Sequence, residues 1–145
     1  MKPLKLMALD REDLTVIAAQ VQDAITKPAY FEFSARDKRF TIVLNRFAWD
    51  AEGKKSDTKH QRRQAALSFA QVTGVRSRNV RRDDDGQILN LLTVRFVAGE
   101  APSGIIELLF ADGPAIELDV ACIEVQLADL GGVWGTRFKP RHPLA

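Results

Sequence analysis

Three groupings in this chain have residue types and spacings that chemistry uses. Glu117 and Asp119 fall two apart in an alternating run, so both carboxylates share one strand face, as a general acid and base could. They stand opposite Ile116, Leu118 and Val120, which is how the water-facing side of an amphipathic strand looks, and that reading is preferred. Asp57 and His60 sit at i and i+3 and could offer two metal ligands from one helical turn. Two are too few, and Lys54, Lys55, Lys59, Arg62 and Arg63 around them repel a cation. Cys122, the single cysteine, would be a nucleophile only beside a base and in a positive environment. Its neighbours are apolar residues and Glu124, so it reads as a small core residue. Gly131-Gly132 lacks the Lys and Ser/Thr of a phosphate loop. No catalytic, cofactor-binding or metal residue is expected.

The distribution of charge says more. The formal net charge is +2, yet the segment from Lys54 to Arg82 holds nine basic residues against Asp57 alone, a sum of +8, so the remainder sums to −6. From Ile105 to Leu130 there are six acids and no Lys or Arg. The basic segment could bind nucleic acid or another polyanion with marked salt dependence, and the candidate contacts are Arg62, Arg63, Arg76, Arg78, Arg81 and Arg82. Single-strand binders also interleave aromatics for base stacking. Here only Phe69 is aromatic, on the side expected to be core. The alternative is that the positive segment faces the acidic one, within the chain or across a dimer.

Regular elements must position these groups. Asp10 is a good N-cap with Asp13 in the capping-box place, and Leu14, Ile17, Ala18, Val21, Ala24 and Ile25 fall on one helical face; Pro28 predicts an end near Thr26. After Pro28 the period becomes two. Tyr30, Phe31 and Phe33, then Phe40, Ile42 and Leu44, predict a hairpin across residues 35–38, closed by Phe47 and Trp49. Residues 51–61 form a polar loop. Strand character returns from Ala65 to Val75, where Leu67 and Phe69 share a face and Val72 with Val75 imply one slip of register, as at a bulge. Asp83 to Gly86 is a turn signal, Ile88, Leu92, Val94 and Phe96 make the next strand, and 105–110 with 115–120 form a second hairpin across Asp112-Gly113. Residues 120–130 alternate like a bulged strand, which is favoured, but also place Val120, Ile123, Leu127 and Leu130 on one helical face.

The expected fold is therefore α+β, an N-terminal helix packed on a mainly antiparallel sheet of about six strands. The alternative is a pleckstrin-homology-like bent sheet or barrel with a C-terminal helix. The 145 residues, 46% apolar and 28% charged, suit one domain over 1–145, with 131–145 an extended C-terminal tail docked through Trp134 and Phe138. One cysteine excludes a disulfide scaffold, and no run approaches the roughly 20 apolar residues of a membrane span. The cytoplasm is the expected compartment.

The stretch Leu9-Asp10-x-x-Asp13-Leu14 with Val21-Gln22-Asp23-Ala24 resembles an uncharacterised bacterial family of alphaproteobacterial type, domain of unknown function 2948. So do Arg39-Phe40-x-x-Val43-Leu44-Asn45-Arg46-Phe47-x-Trp49, the run from Ile116 to Glu124, Asp129-Leu130-Gly131 with Trp134, and Pro140-x-His142-Pro143. The resemblance spans nearly the whole chain and implies no activity, cofactor or site residue. The expectation is a protein of unknown function that serves as a non-catalytic cytoplasmic interaction or accessory module, with a protein partner or a second copy of itself and no membrane. Polyanion binding through 54–82 is the alternative, and an enzyme with an unidentified substrate is the second alternative.

Overall fold

The computed structural model describes residues 3–47, 62–82 and 86–130. In chain order its elements are β1 (Lys5–Ala8), α1 (Arg11–Val21), β2 (Ile25–Thr26), β3 (Phe31–Ser34), β4 (Arg39–Phe47), β5 (Arg62–Phe69), β6 (Val72–Arg78), β7 (Leu89–Ala98), β8 (Gly104–Phe110), β9 (Ala115–Val120) and β10 (Val125–Asp129). Among the described residues this is mostly antiparallel sheet with one α-helix, as expected, but with ten strands rather than about six. The excess has a physical cause. Two long strands are each bent into two, and short stretches of chain at residues 5–8 and 25–26 are recruited as strands.

The start of α1 follows the sequence closely. The backbone of Asp10 is extended and its Oδ1 accepts the Asp13 N–H at 2.8 Å, while Asp13 accepts the Leu9 N–H at 3.5 Å, a loosened capping box. Leu14, Ile17 and Val21 are buried. The end differs from the expectation, because α1 stops at Val21 rather than near Thr26. Asp23 takes a left-handed φ of 68°, its N–H donates to Leu91 O, and Ala24 O accepts the Leu91 N–H. Residues 25–26 are thereby drawn in as a strand between β4 and β7, so sheet pairing overrides helical periodicity.

The strand order is β1-β10-β5-β4-β2-β7-β8-β9-β6, with β3 also paired to β4. Only Ala70 and Gln71 separate β5 from β6, and residues 121–124 separate β9 from β10. The two bent strands turn one corner together: Ala70 N–H donates to Glu124 O and Ala121 N–H to Gln71 O. β5 pairs with β10 before the corner and β6 with β9 after it, so the sheet folds back on itself around one core that includes Leu67, Phe69, Leu108, Leu118 and Leu127. A shift of register between Val72 and Gly74 matches the expected bulge.

Residues 125–129 are strand, as favoured, and the helical alternative for 120–130, with the C-terminal-helix fold built on it, is set aside. The Asp112-Gly113 turn has φ of 73° and 107°, the paired positive angles its residues allow. On β7 the inward set is corrected. Ile88 and Leu92 are exposed and Leu89 and Leu91 are buried, because a bulge after Leu91 shifts the phase before Val94. Trp49, the loop 51–61 with Asp57 and His60, Asp83 to Asp85, and the tail from 131 lie outside the described residues.

Candidate interaction surface

The outer face of β7, β8, β9 and β6 carries a row of charges in register. Arg95 stands opposite Glu107, Glu107 opposite Glu117, and Glu117 opposite Arg76. Two glutamates directly opposed on adjacent strands repel, and an arginine at each end answers that repulsion. Arg95 Nε donates to Glu107 at 2.6 Å, and Arg76 Nε donates to Glu117 at 3.2 Å. Arg76 also grips Asp119 with both terminal nitrogens, at 2.6 and 3.0 Å. These bonds, to Asp119 first and Glu117 second, raise the pKa of the Arg76 guanidinium. Gly74, opposite Asp119, leaves room for that carboxylate: a Cβ there would lie 2.9 Å from Asp119 Oδ2.

The basic and acidic segments therefore do lie side by side, β5 against β10 and β6 against β9, and they exchange charge at Arg76. Glu117 and Asp119, expected on the wetted face, are there and are bound by one arginine. The six candidate arginines fall into two groups at opposite ends of the bent β5–β6 strand. Arg62 stacks on the Phe47 ring, 3.9 Å from its centroid, and donates to Asn45 O. Arg63 is half-buried beside Arg46. At the other end Arg78, Arg81 and Arg82 are exposed, with the turn after β6 held by Gln87, which accepts the Arg81 N–H and donates to Asn79 O. Cys122 sits half-buried at the corner, not in the core as expected.

One pair was not anticipated. Arg46 Nε and Nη2 donate to the two oxygens of Asp129, both at 2.9 Å, with side chains only 4% and 1% exposed. Arg46 Nη1 also donates to Phe47 O, and Asp129 Oδ2 accepts the Leu4 N–H at 2.7 Å. The pair spans β5 on the inner face, Asp129 standing opposite Ala65 and Arg46 opposite Arg63. A signal for it exists in the sequence: Arg46 falls in phase with Phe40, Ile42 and Leu44, and Asp129 in phase with Val125 and Leu127. A charge at an inward position calls for a buried partner.

Among the described residues, no three of His, Cys, Asp and Glu are grouped to hold a metal, and no helix is long and apolar enough to cross a membrane. What the fold and its surface define, among the described residues, is a β-rich domain with one α-helix, a face on which opposite charges pair, and open strand edges, β1 and β6 at the ends of the strand order. The chain belongs to the family described as protein of unknown function, DUF2948, whose model matches residues 4–142. No curated protein and no solved structure matches it.

Proposed function

We propose that this domain is a non-catalytic interaction module of the bacterial cytoplasm whose partner is a second copy of the chain, joined along β1. The observation that carries the reading is a contrast between the two ends of the strand order. β6 bears the devices that keep an edge in water, a bulge and the charges Arg76 and Arg78. β1 has no register shift, carries Met7 and is followed by Leu9, 53% and 65% exposed. Antiparallel pairing of two β1 strands about Met7 sets Met7 against Met7 and Lys5 against Leu9. Pairing two β6 strands about Arg76 or Ser77 puts arginine opposite arginine, which is unfavourable. The lone thiol Cys122 suits a reducing compartment.

Sedimentation equilibrium of the full chain tests this. A monomer–dimer equilibrium is expected, shifted to monomer by Met7→Lys with Leu9→Lys and unchanged by Arg78→Ala. A wild-type chain that stays monomeric up to about 1 mM, where association would be worth no more than roughly 4 kcal/mol, would sink it.

A second reading, polyanion binding, is favoured by the exposure of Arg78 and Arg82 beyond the end of the acidic row, where among the described residues neither forms an ion pair. It predicts single-stranded RNA binding that weakens linearly in log affinity with log salt and is lost in Arg78→Glu with Arg82→Glu. Equal binding by that variant removes the reading.

A further inference from the structure

Met7 lies on the open edge of β1, and the alternation of the strand sets where its side chain points. Ala8 is fully buried and Leu6 packs against the core, so Lys5 and Met7 project from the opposite, outer face. Across the ladder Met7 stands opposite Gln126, which falls between the buried Val125 and Leu127 and so shares that face. Met7 is 53% exposed, which leaves its thioether open to solvent. The one other methionine in the sequence is Met1.

The backbone phase of β1 sets how a second copy can pair with it. Leu4 O accepts the Asp129 N–H at 2.9 Å, so Leu4, and with it Leu6 and Ala8, turn their backbone groups toward β10. Lys5 and Met7 turn theirs toward the open edge. A two-fold axis at Met7 therefore makes the two Met7 residues a hydrogen-bonded pair, with Cα atoms about 5.5 Å apart. Adding a strand in the plane of a sheet leaves its faces uncovered. The two thioethers would stand side by side on the wetted face, touching each other and within reach of a small oxidant.

We infer that Met7 is an oxidation site through which a peroxide loosens the β1 dimer, a role that rests on the dimer proposed for this chain. The step balances with hydrogen peroxide as the oxidant. The thioether sulfur gives an electron pair to one peroxide oxygen, the O–O bond breaks, and the products are a sulfoxide and water; sulfur is oxidised by two electrons and the peroxide reduced by two. The sulfoxide is polar and chiral where the thioether was apolar and flexible. Two S=O dipoles then meet at the two-fold axis where two apolar groups touched. Loss of a cross-strand contact of this kind changes an association constant by about fivefold. Cys122, the other oxidisable sulfur among the described residues, is half-buried at the corner between β9 and β10 and takes no part in the edge.

The full chain carrying Cys122→Ser, which keeps the thiol out of the reaction, is treated with hydrogen peroxide and followed by two measurements: the mass of the peptide that contains Met7, and the monomer–dimer constant by sedimentation equilibrium. Gain of one oxygen on Met7 and a dimer weakened about fivefold are expected, with both reversed by methionine sulfoxide reductases that act on the two epimers. Met7→Leu in the same background keeps an apolar side chain of similar volume. It should dimerise as the untreated chain does and ignore peroxide. Three results would each overturn the site while leaving the dimer standing: an unmoved constant with Met7 fully converted, a Met7→Leu chain that loosens equally, or a Met7 that resists peroxide while free methionine in the same solution reacts. A chain already monomeric before peroxide is added removes the dimer itself, and the site with it.

Discussion

The molecule makes the same bond twice, an arginine fork on an aspartate, in two settings. Arg46–Asp129 reaches over β5 on the inner face with both side chains nearly inaccessible, whereas Arg76–Asp119 joins neighbouring strands on the outer face with side chains 50% and 40% exposed. Both are bidentate, side-on through Nε and Nη2 at Arg46 and end-on through Nη1 and Nη2 at Arg76; desolvation is what sets their energies apart. Water competes for every donor of Arg76, so its bonds add little. Around Arg46 no water replaces a lost partner, so removing one member leaves the other a buried, unanswered charge. Asp129 is also tied to the N–H of Leu4 and, through its own N–H, to Leu4 O. The buried pair thus binds β4, β10 and the approach to β1 together, while the exposed pair belongs to a row of charges that sets which residues face one another.

The comparison breaks most visibly at Arg46. Arg46→Ala should lower unfolding stability by about 3–5 kcal/mol in urea denaturation, the usual result of stripping one partner from a buried pair. Replacing both members with apolar residues is gentler, because no charge is stranded. Arg46→Met with Asp129→Leu should still fall short of wild type by about 1–3 kcal/mol, since the Leu4 N–H loses its acceptor. A double variant as unstable as Arg46→Ala alone would show that the stranded charge is not the source of the loss.

The two pairs were also unequally legible. Glu117, Asp119 and Arg76 could be placed on a wetted face from alternation alone, because exposed positions are fixed by their apolar neighbours. The adjacency of β6 with β9 could not, since pairing over some forty residues depends on the shared corner at Ala70–Gln71 and 121–124. Arg46 and Asp129 needed the strand phase to be trusted over residue type. The capping of α1, both hairpins and the bulge near Val72 follow from local rules and were readable. The end of α1 and the inward set of β7 were not, because each is decided by tertiary pairing: Leu91 binds Asp23 and Ala24, and the bulge beside it resets the phase.

Gly74→Ala sharpens the contrast without touching a charge. The new Cβ would meet Asp119 Oδ2 at 2.9 Å, so the carboxylate must leave its place on Arg76. The strand meanwhile gains the roughly 0.5–1 kcal/mol by which Ala exceeds Gly. Stability should change by less than about 1 kcal/mol, while the Arg76 terminal Nη–H signals in NMR, the ones bonded to Asp119, move toward those of free arginine. An unmoved signal would mean Asp119 is not held where its two bonds place it.

Arg76→Gln is expected to do least. Because bonding raises its pKa, whatever stability Arg76 contributes is present below the ordinary arginine value and fades only as pH rises past the raised one, so a scan across neutral pH will not register it. Its thermal midpoint should fall within the scatter of wild-type measurements. Any residual difference should vanish near 1 M salt, where the screening length is about 3 Å, while the Arg46→Ala deficit persists there. A large, salt-resistant loss in Arg76→Gln would reverse the ranking. It would place the stabilising charge contact of this sheet on its outer face, with Glu107 and Glu117 left to repel each other as the cause.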